Sequence, residues 1–456
     1  MLFNSLTFLA LLLPTVGLYW LVPVQSLRLW LLLAASLVFY GFHHWPSVFL
    51  LLFTIAFNFA LGLRQSRRRS RRLMFAALAG NLAVLGWFKY ADFVAQNVIA
   101  VLAALGWTVE APRMPTLLPL GISFFTFQVV AYQVDVYLGE VHAERSLPRF
   151  AVFKCFFPQL IAGPIVQAKD FLPQLREAVT FDPRLFHRGV WLVLAGAALK
   201  IGVADVLAQF ADEAFREPTL LTTVAAWTGL YAYAFQLYAD FWGYSTMAVG
   251  LSALFGLVLP LNFDTPYFST SLQEFWRRWH ITLSGWFRNY VYIPLGGNRH
   301  RRDFNLLITM ALAGLWHGAG WTYVLWGLGH GLLLVAERHT PTLPRLDHWW
   351  GQIGKALLVF HLVCLLWVLF RAPSISVAWE YYQRLWPHPW TAAKVPSVLS
   401  QWLVVFALVQ WPLAWTLKQD RFVGLPLKVQ WLLGLACLFL ILAYAGARVD
   451  FIYFNF

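Results

Sequence analysis

Apolar runs long enough to cross roughly 30 Å of hydrocarbon recur along this chain, and nothing else constrains its fold so strongly. "LTFLALLLPTVGLYWLV", "LRLWLLLAASLVFYGF" and "SVFLLLFTIAFNFALGL" follow one another within the first 63 positions. A chain with this pattern must satisfy its backbone polar groups internally, which in the absence of alternating strand patterns leaves helices. The composition agrees, with 60% hydrophobic, 18% aromatic and 12% charged residues among 456. These values lie far outside the soluble range. The fold class read from the sequence is therefore all-α, a polytopic integral membrane protein with about eleven transmembrane helices, give or take two. No basic residue precedes Arg28, so the first span lacks the charged flank of a cleaved signal and is expected to stay.

The formal charge of +13 is not a nucleic-acid signature, because its densest run, "RQSRRRSRR" at 64–72, directly follows a span. That is where cytoplasmic arginine and anionic lipid headgroups belong. Cys155, Cys364 and Cys437 lie far apart in apolar segments without metal-ligand spacing and read as small buried hydrophobes.

Two regions depart from simple spans. Near 151–188, "FKCFFPQLIAGPIVQAKDF" carries Pro158 and Gly163-Pro164 in an apolar stretch. Such a segment breaks its helix and is expected to be re-entrant, to line a polar cavity, or to be a kinked span packed on neighbours. From Gln167 to Arg188 a loop with a surface helix is expected. Near 260–303 the pattern gives way to "LNFDTPYFSTSLQEFWRRWHITLSGWFRNYVYIPLGGNRHRRD". Ser271 followed by Glu274 forms a capping box, which predicts a helix from Leu272 toward Phe287 with Trp276 and His280 on one face. This helix is expected to lie in the interface or dip into a cavity. No inverted repeat is visible, which counts against a secondary transporter. Basic residues in "NRHRRD" and near Lys355 and Arg421 mark cytoplasmic loops. Residues 304–336 then become a down-and-back pair hinged at Gly318–Gly320, and the segment 449–456 faces the exterior with His317 near the same side.

Among twelve histidines, His317 in "GLWHGAG" stands inside an apolar helix, where a neutral imidazole can accept a proton. Gly314, Gly318 and Gly320 either clear room for a substrate beside the ring or let helices pack closely. His280, flanked by Trp276, Arg277, Arg278 and Trp279, is an interfacial anchor or a second site residue. His330 in "GLGHG" falls at an expected cytoplasmic helix end. Asp135, Asp240, Asp264 and Glu274 are read as lying around turns and the interfacial segment rather than along a pathway. No serine elbow, H-E-x-x-H or Walker loop occurs.

At these residues the chain resembles a family. "PLGISFFTFQVVAYQVDVYLGE", "FFPQLIAGPIVQAKDFLPQL", "EFWRRWHITLSGWFRNYVYIPLGGNR" and "GLWHGAGWTYVLWGLGHG" are similar to successive signature blocks of the membrane-bound O-acyltransferases (MBOAT). The resemblance is to the bacterial branch that includes the alginate O-acetylation membrane subunit, and it runs in order to "FIYFNF". It implies a single MBOAT transmembrane domain over 1–456, arranged around a funnel, in the bacterial inner membrane. It also implies His317 as catalytic histidine and His280 as its companion. The expected donor is acetyl-CoA or another cytoplasmic acyl thioester, with no metal. The expected partners are membrane lipid, an extracytoplasmic acetyltransferase or esterase-like protein and a polysaccharide acceptor. "DFWGYSTMAVG" departs from relatives at Trp242 and Thr246. In the related teichoic-acid D-alanylation system a small partner peptide carries an aromatic-tyrosine motif thought to receive the acyl group, which makes Tyr453 a candidate acyl relay. A phenol requires a base, and His317 could supply it. Otherwise Tyr453 is an aromatic-belt anchor. An in-membrane lipid or protein O-acyltransferase and a small-solute transporter are the alternative functions.

Overall fold

The computed structural model describes residues 1, 3–110, 117–340, 348–386, 397–418, 421–446 and 451. Among the described residues every regular element is a helix. Among the described residues, five helical stretches are long and apolar enough to cross a membrane: Ser47–Arg67, Arg71–Ala104, Pro183–Arg216, Trp349–Arg371 and Leu427–Tyr444. Other apolar runs form shorter helices, Leu6–Leu21, Gln25–Gly41 and Ile122–Leu138. At 1.5 Å per residue, 16 or 17 residues reach only about 25 Å.

The chain divides into two compact units, Met1–Gly189 with Leu251–Pro260, and Val190–Gly250 with Leu261–Phe456. In the first, the arginine cluster occupies the exposed turn between Ser47–Arg67 and Arg71–Leu85. Those two helices are tied by a reciprocal amide pair, Asn58 and Asn81, each Nδ2 donating to the other's Oδ1 at 2.9 Å. Gln133 donates to the Asn58 carbonyl at 2.8 Å, bringing Ile122–Leu138 into the same polar bridge. Apolar helices without water between them use such amides as glue. Gly121, at φ 71°, starts that helix with its α-carbon so near the Leu160 carbonyl that an added Cβ would lie 2.6 Å from it.

The break expected in the Pro158 region is present. The helix Leu147–Cys155 stops, Phe156 turns out of helical geometry, and one short turn, Phe157–Leu160, follows. The carbonyl of Phe153 accepts from Gln128 Nε2 at 2.9 Å and Gln159 Nε2 at 2.5 Å, and Phe157 N donates to Ser36 Oγ at 3.1 Å. Side chains thus take the place of the lost helical partners, as a dry interior requires. The three cysteines are buried thiols, as their apolar settings suggest.

The second unit holds the expected down-and-back pair, Arg302–His317 and Trp321–His339, joined through Gly318–Gly320. A Cβ on Gly314 would overlap the Tyr323 backbone, and one on Gly327 the Met310 backbone. The two helices therefore touch main chain to main chain. Glycines 196 and 243 do the same elsewhere: a Cβ on Gly196 would lie 2.6 Å from the Gly243 carbonyl oxygen, and one on Gly243 2.7 Å from that of Gly196. Beside that contact the helix from Pro183 widens into a π-turn, Leu199–Ala204, before continuing as Asp205–Arg216.

Four expectations are corrected here. The helix from Leu272 does not run to Phe287. It ends at Arg278, and a second helix, Ile281–Phe287, begins after His280, whose φ of 43° is left-handed. Trp276 and His280 consequently do not share a helical face. His330 is not at a helix end but midway along Trp321–His339, fully buried. Asp240 is not near a turn: it lies inside the helix Thr223–Leu254, 2% exposed and 2.8 Å from Lys200, which also meets Asp205 at 2.7 Å. Carboxylates can be held in an apolar interior when a lysine is shared between them, and the π-turn puts Lys200 there.

Candidate active site

The helix that ends at Arg278 is built at its start by hydrogen bonds. Ser271 Oγ accepts from Glu274 N at 3.0 Å, as the capping box requires. The Glu274 carboxylate accepts from Thr270 N at 2.7 Å and from Arg278 at 2.6 Å. Partial burial raises the Glu274 pKa, but the bonds from Thr270 and Arg278 outweigh it and hold the group below its ordinary value. From outside the segment, the Glu337 carboxylate accepts from Leu272 N at 2.7 Å and Gln273 N at 3.0 Å. Three of the first amides of this short helix are thereby paired, and its position is fixed to the helix Trp321–His339.

At the other end the chain turns through Trp279 and His280. A left-handed backbone costs an L-residue about 1–2 kcal/mol, so neighbouring contacts must hold it. His280 is fully buried. Its ring meets Phe241 edge-on at 4.6 Å and Trp316 at 6.2 Å. His317 follows Trp316 as the last residue of its helix, with a centroid separation of 5.0 Å between those two rings. The structure therefore gathers His280 and His317 around the Trp316 indole. On its other sides His317 meets Trp326 and Phe370, each at 5.1 Å.

The space considered beside His317 is occupied at Gly314 and Gly318, whereas a Cβ on Gly320 would come no nearer than 3.5 Å to the Tyr323 ring. A Cβ on Gly318 would overlap the Tyr323 ring, and Gly314 serves the helix contact. Of the two readings open for these glycines, close helix packing is realised at Gly314. His317 is 3% exposed in this arrangement.

Tyr453 lies outside the described residues. Phe451 is within them, fully buried, stacked on Tyr244 at 4.2 Å with an interplanar angle of 22° and 6.1 Å from Phe241. Phe241 thus has His280 on one side and Phe451 on another. Sequence reasoning missed three features of this region. His330 is packed by Trp326 at 4.8 Å and Trp276 at 4.9 Å. Phe241 and Trp316 join the histidines, and nothing in an aromatic-rich sequence distinguishes them. Lys200 and Asp205 were detectable, since a lysine inside "AGAALKIGVADV" is rare in an apolar helix and calls for a nearby acid. Among the described residues no group of three or more His, Cys, Asp or Glu could hold a metal ion.

Comparison with known proteins gives consistent results. The family described as MBOAT, membrane-bound O-acyltransferase family, matches residues 140–348, which include His280 and His317. A probable alginate O-acetylase of Pseudomonas aeruginosa is 42% identical over 402 residues, covering 84% of this chain and 75% of that protein. One from Azotobacter vinelandii is 42% identical over 406 residues, covering 84% and 78%. A peptidoglycan O-acetyltransferase of Helicobacter pylori is 38% identical over 385 residues, covering 77% and 72%.

Proposed function

Because the chain belongs to the membrane-bound O-acyltransferase family and is an O-acyltransferase, we propose that it moves acetyl from a cytoplasmic thioester to an extracytoplasmic polysaccharide. The acetyl group and the polysaccharide class follow the names of its relatives, alginate and peptidoglycan O-acetylating proteins. In this reading the whole of 1–456 acts as one transmembrane unit in a bacterial inner membrane. An acetyltransferase or esterase-like protein outside completes delivery to the polymer.

His317 is the base and Tyr453 the relay. The phenol oxygen of Tyr453 attacks the thioester carbonyl carbon while its proton passes to His317. The C–O bond forms, the C–S bond breaks, and the imidazole returns the proton to the departing thiolate. The products are a free thiol and an acyl-tyrosine ester. An acceptor hydroxyl then attacks the ester, its proton travels through the imidazole, and the phenol is regenerated. Neither step consumes or releases a net proton, so a single neutral imidazole suffices. His280, which also packs against Trp316, assists the same centre. Substrate entry requires the rings around His317, Trp326 and Phe370 among them, to swing aside.

One observation carries this reading: Phe451 is docked between Tyr244 and Phe241, and Phe241 bears on His280. Phe451, two positions before Tyr453 in the sequence, thus belongs to the aromatic group that packs against His280. The test is to quench turnover on a labelled acetyl thioester and locate the label by mass spectrometry. Label on Tyr453, and loss of polymer acetylation in Tyr453→Phe, are expected. Normal acetylation by that variant would remove the relay.

A further inference from the structure

The left-handed turn at His280 is held by one short stretch, "LNFD", and the hydrogen bonds converge on Asn262. Its carbonyl accepts from Ile281 N at 2.9 Å, and two residues later Asp264 N donates to the Arg278 carbonyl at 3.0 Å. These bonds bracket Trp279 and His280 from both sides. The Asn262 side chain is equally committed at one end. Its Oδ1 accepts from Thr282 Oγ1 at 2.6 Å and from Thr282 N at 3.3 Å. A backbone N–H can only donate, so the amide's orientation is settled by this network. The other end, Nδ2, is closed off from solvent and has no hydrogen-bond partner among the described residues, while the residue as a whole is 2% exposed. A buried donor left unpaired is unfavourable, and Thr282 prevents the rotation that would let it exchange ends. Such a group calls for an acceptor that arrives with the reaction.

We propose that Asn262 is a further catalytic residue, whose Nδ2–H donates to the acyl carbonyl oxygen as that oxygen becomes an anion. This rests on the reading of His317, His280 and Tyr453 given above. When the phenol oxygen adds to the carbonyl carbon, the C=O π pair moves onto oxygen, and the Asn262 amide stabilises it there. On collapse the pair returns, the C–S bond breaks, and the thiolate takes the proton from the imidazole. A preset donor helps most where charge develops, because no reorganisation is needed at that moment. Thr282 acts as its positioning residue, and the backbone of Asn262 holds His280 in the same frame.

Two substitutions separate this role from a structural one in the full-length protein reconstituted in lipid. Asn262→Asp keeps oxygen acceptors for Thr282 and removes the donor, whereas Asn262→Ala removes both without adding charge. Both are expected to lower kcat for transfer from a labelled acetyl thioester about 10²–10³-fold while KM for the donor stays nearly constant. Thr282→Val is expected to lower kcat less, and to have no further effect in the Asn262→Ala background. Wild-type kcat in Asn262→Asp, or a loss that appears only as a lowered thermal unfolding midpoint shared by both variants, overturns the assignment. The controls are His317→Ala and Tyr453→Phe. If they retain transfer, the underlying mechanism falls; if they abolish it while Asn262→Asp does not, only the role of Asn262 falls.

Discussion

Each site residue is defined by what surrounds it. His317 has the rings of Trp316, Trp326 and Phe370 at 5.0, 5.1 and 5.1 Å, surroundings in which the proposed base would exchange protons without competition from water. His280 has a second constraint, its backbone, and that permits a sharp test. Asparagine tolerates the left-handed region better than other non-glycine residues. His280→Asn should therefore fold and insert normally while slowing transfer by about 10²–10⁴-fold, the range for losing an acid–base group. His317→Ala should lose transfer altogether, and turnover assays beside thermal unfolding of the same preparations check both. His317 was conspicuous in the sequence as an imidazole in an apolar helix, and it is the buried last residue of Arg302–His317. The conformation of His280 was not, since it is imposed by Asn262 and Asp264, which lie 18 and 16 positions before it.

At the level of elements, glycine placement decides how closely helices approach. Gly314 and Gly327 face the main chain of the opposite helix, and no side chain there could yield. Gly327→Ala is thus expected to force Arg302–His317 and Trp321–His339 apart, costing about 1–3 kcal/mol as overpacking does, and to disturb His317 at the same helix end. A lowered unfolding midpoint in detergent together with reduced transfer would show it; an unchanged midpoint would mean the contact is looser than described. The N-terminus at Leu272 was readable from Ser271 and Glu274: Ser271 Oγ accepts from Glu274 N, while the Glu274 carboxylate reaches back one residue further, to Thr270 N. The C-terminus was not, because the pattern "EFWRRWHITLSGWF" continues helically through the point where the chain breaks. What stops it is the pairing of Arg278 O and Ile281 N with another strand of chain, and periodicity carries no record of that.

For the whole molecule, a membrane O-acyltransferase is distinguished from a solute transporter by what crosses the bilayer. In proteoliposomes with labelled acetyl thioester supplied on the cytoplasmic side, label is expected on an acceptor at the opposite side, without uptake of small solute. Uptake without acyl transfer would favour a transporter. Lys200 bears on that choice. The carboxylates of Asp205 and Asp240 share one ammonium inside the second unit, which ties two helices rather than marking a row of free acids. The sequence alone determined that the chain leaves water, that it does so as helices, where proline and glycine interrupt them, and which family its motifs match. Those properties depend on local hydrophobicity, local backbone restriction and residue order. Tertiary structure alone decided which glycines are contacts rather than space, where a lysine finds two acids, how a left-handed histidine is held, and that Phe451 docks beside it. Each of these depends on a partner distant in the chain, and an apolar run states that it must be buried without stating against what.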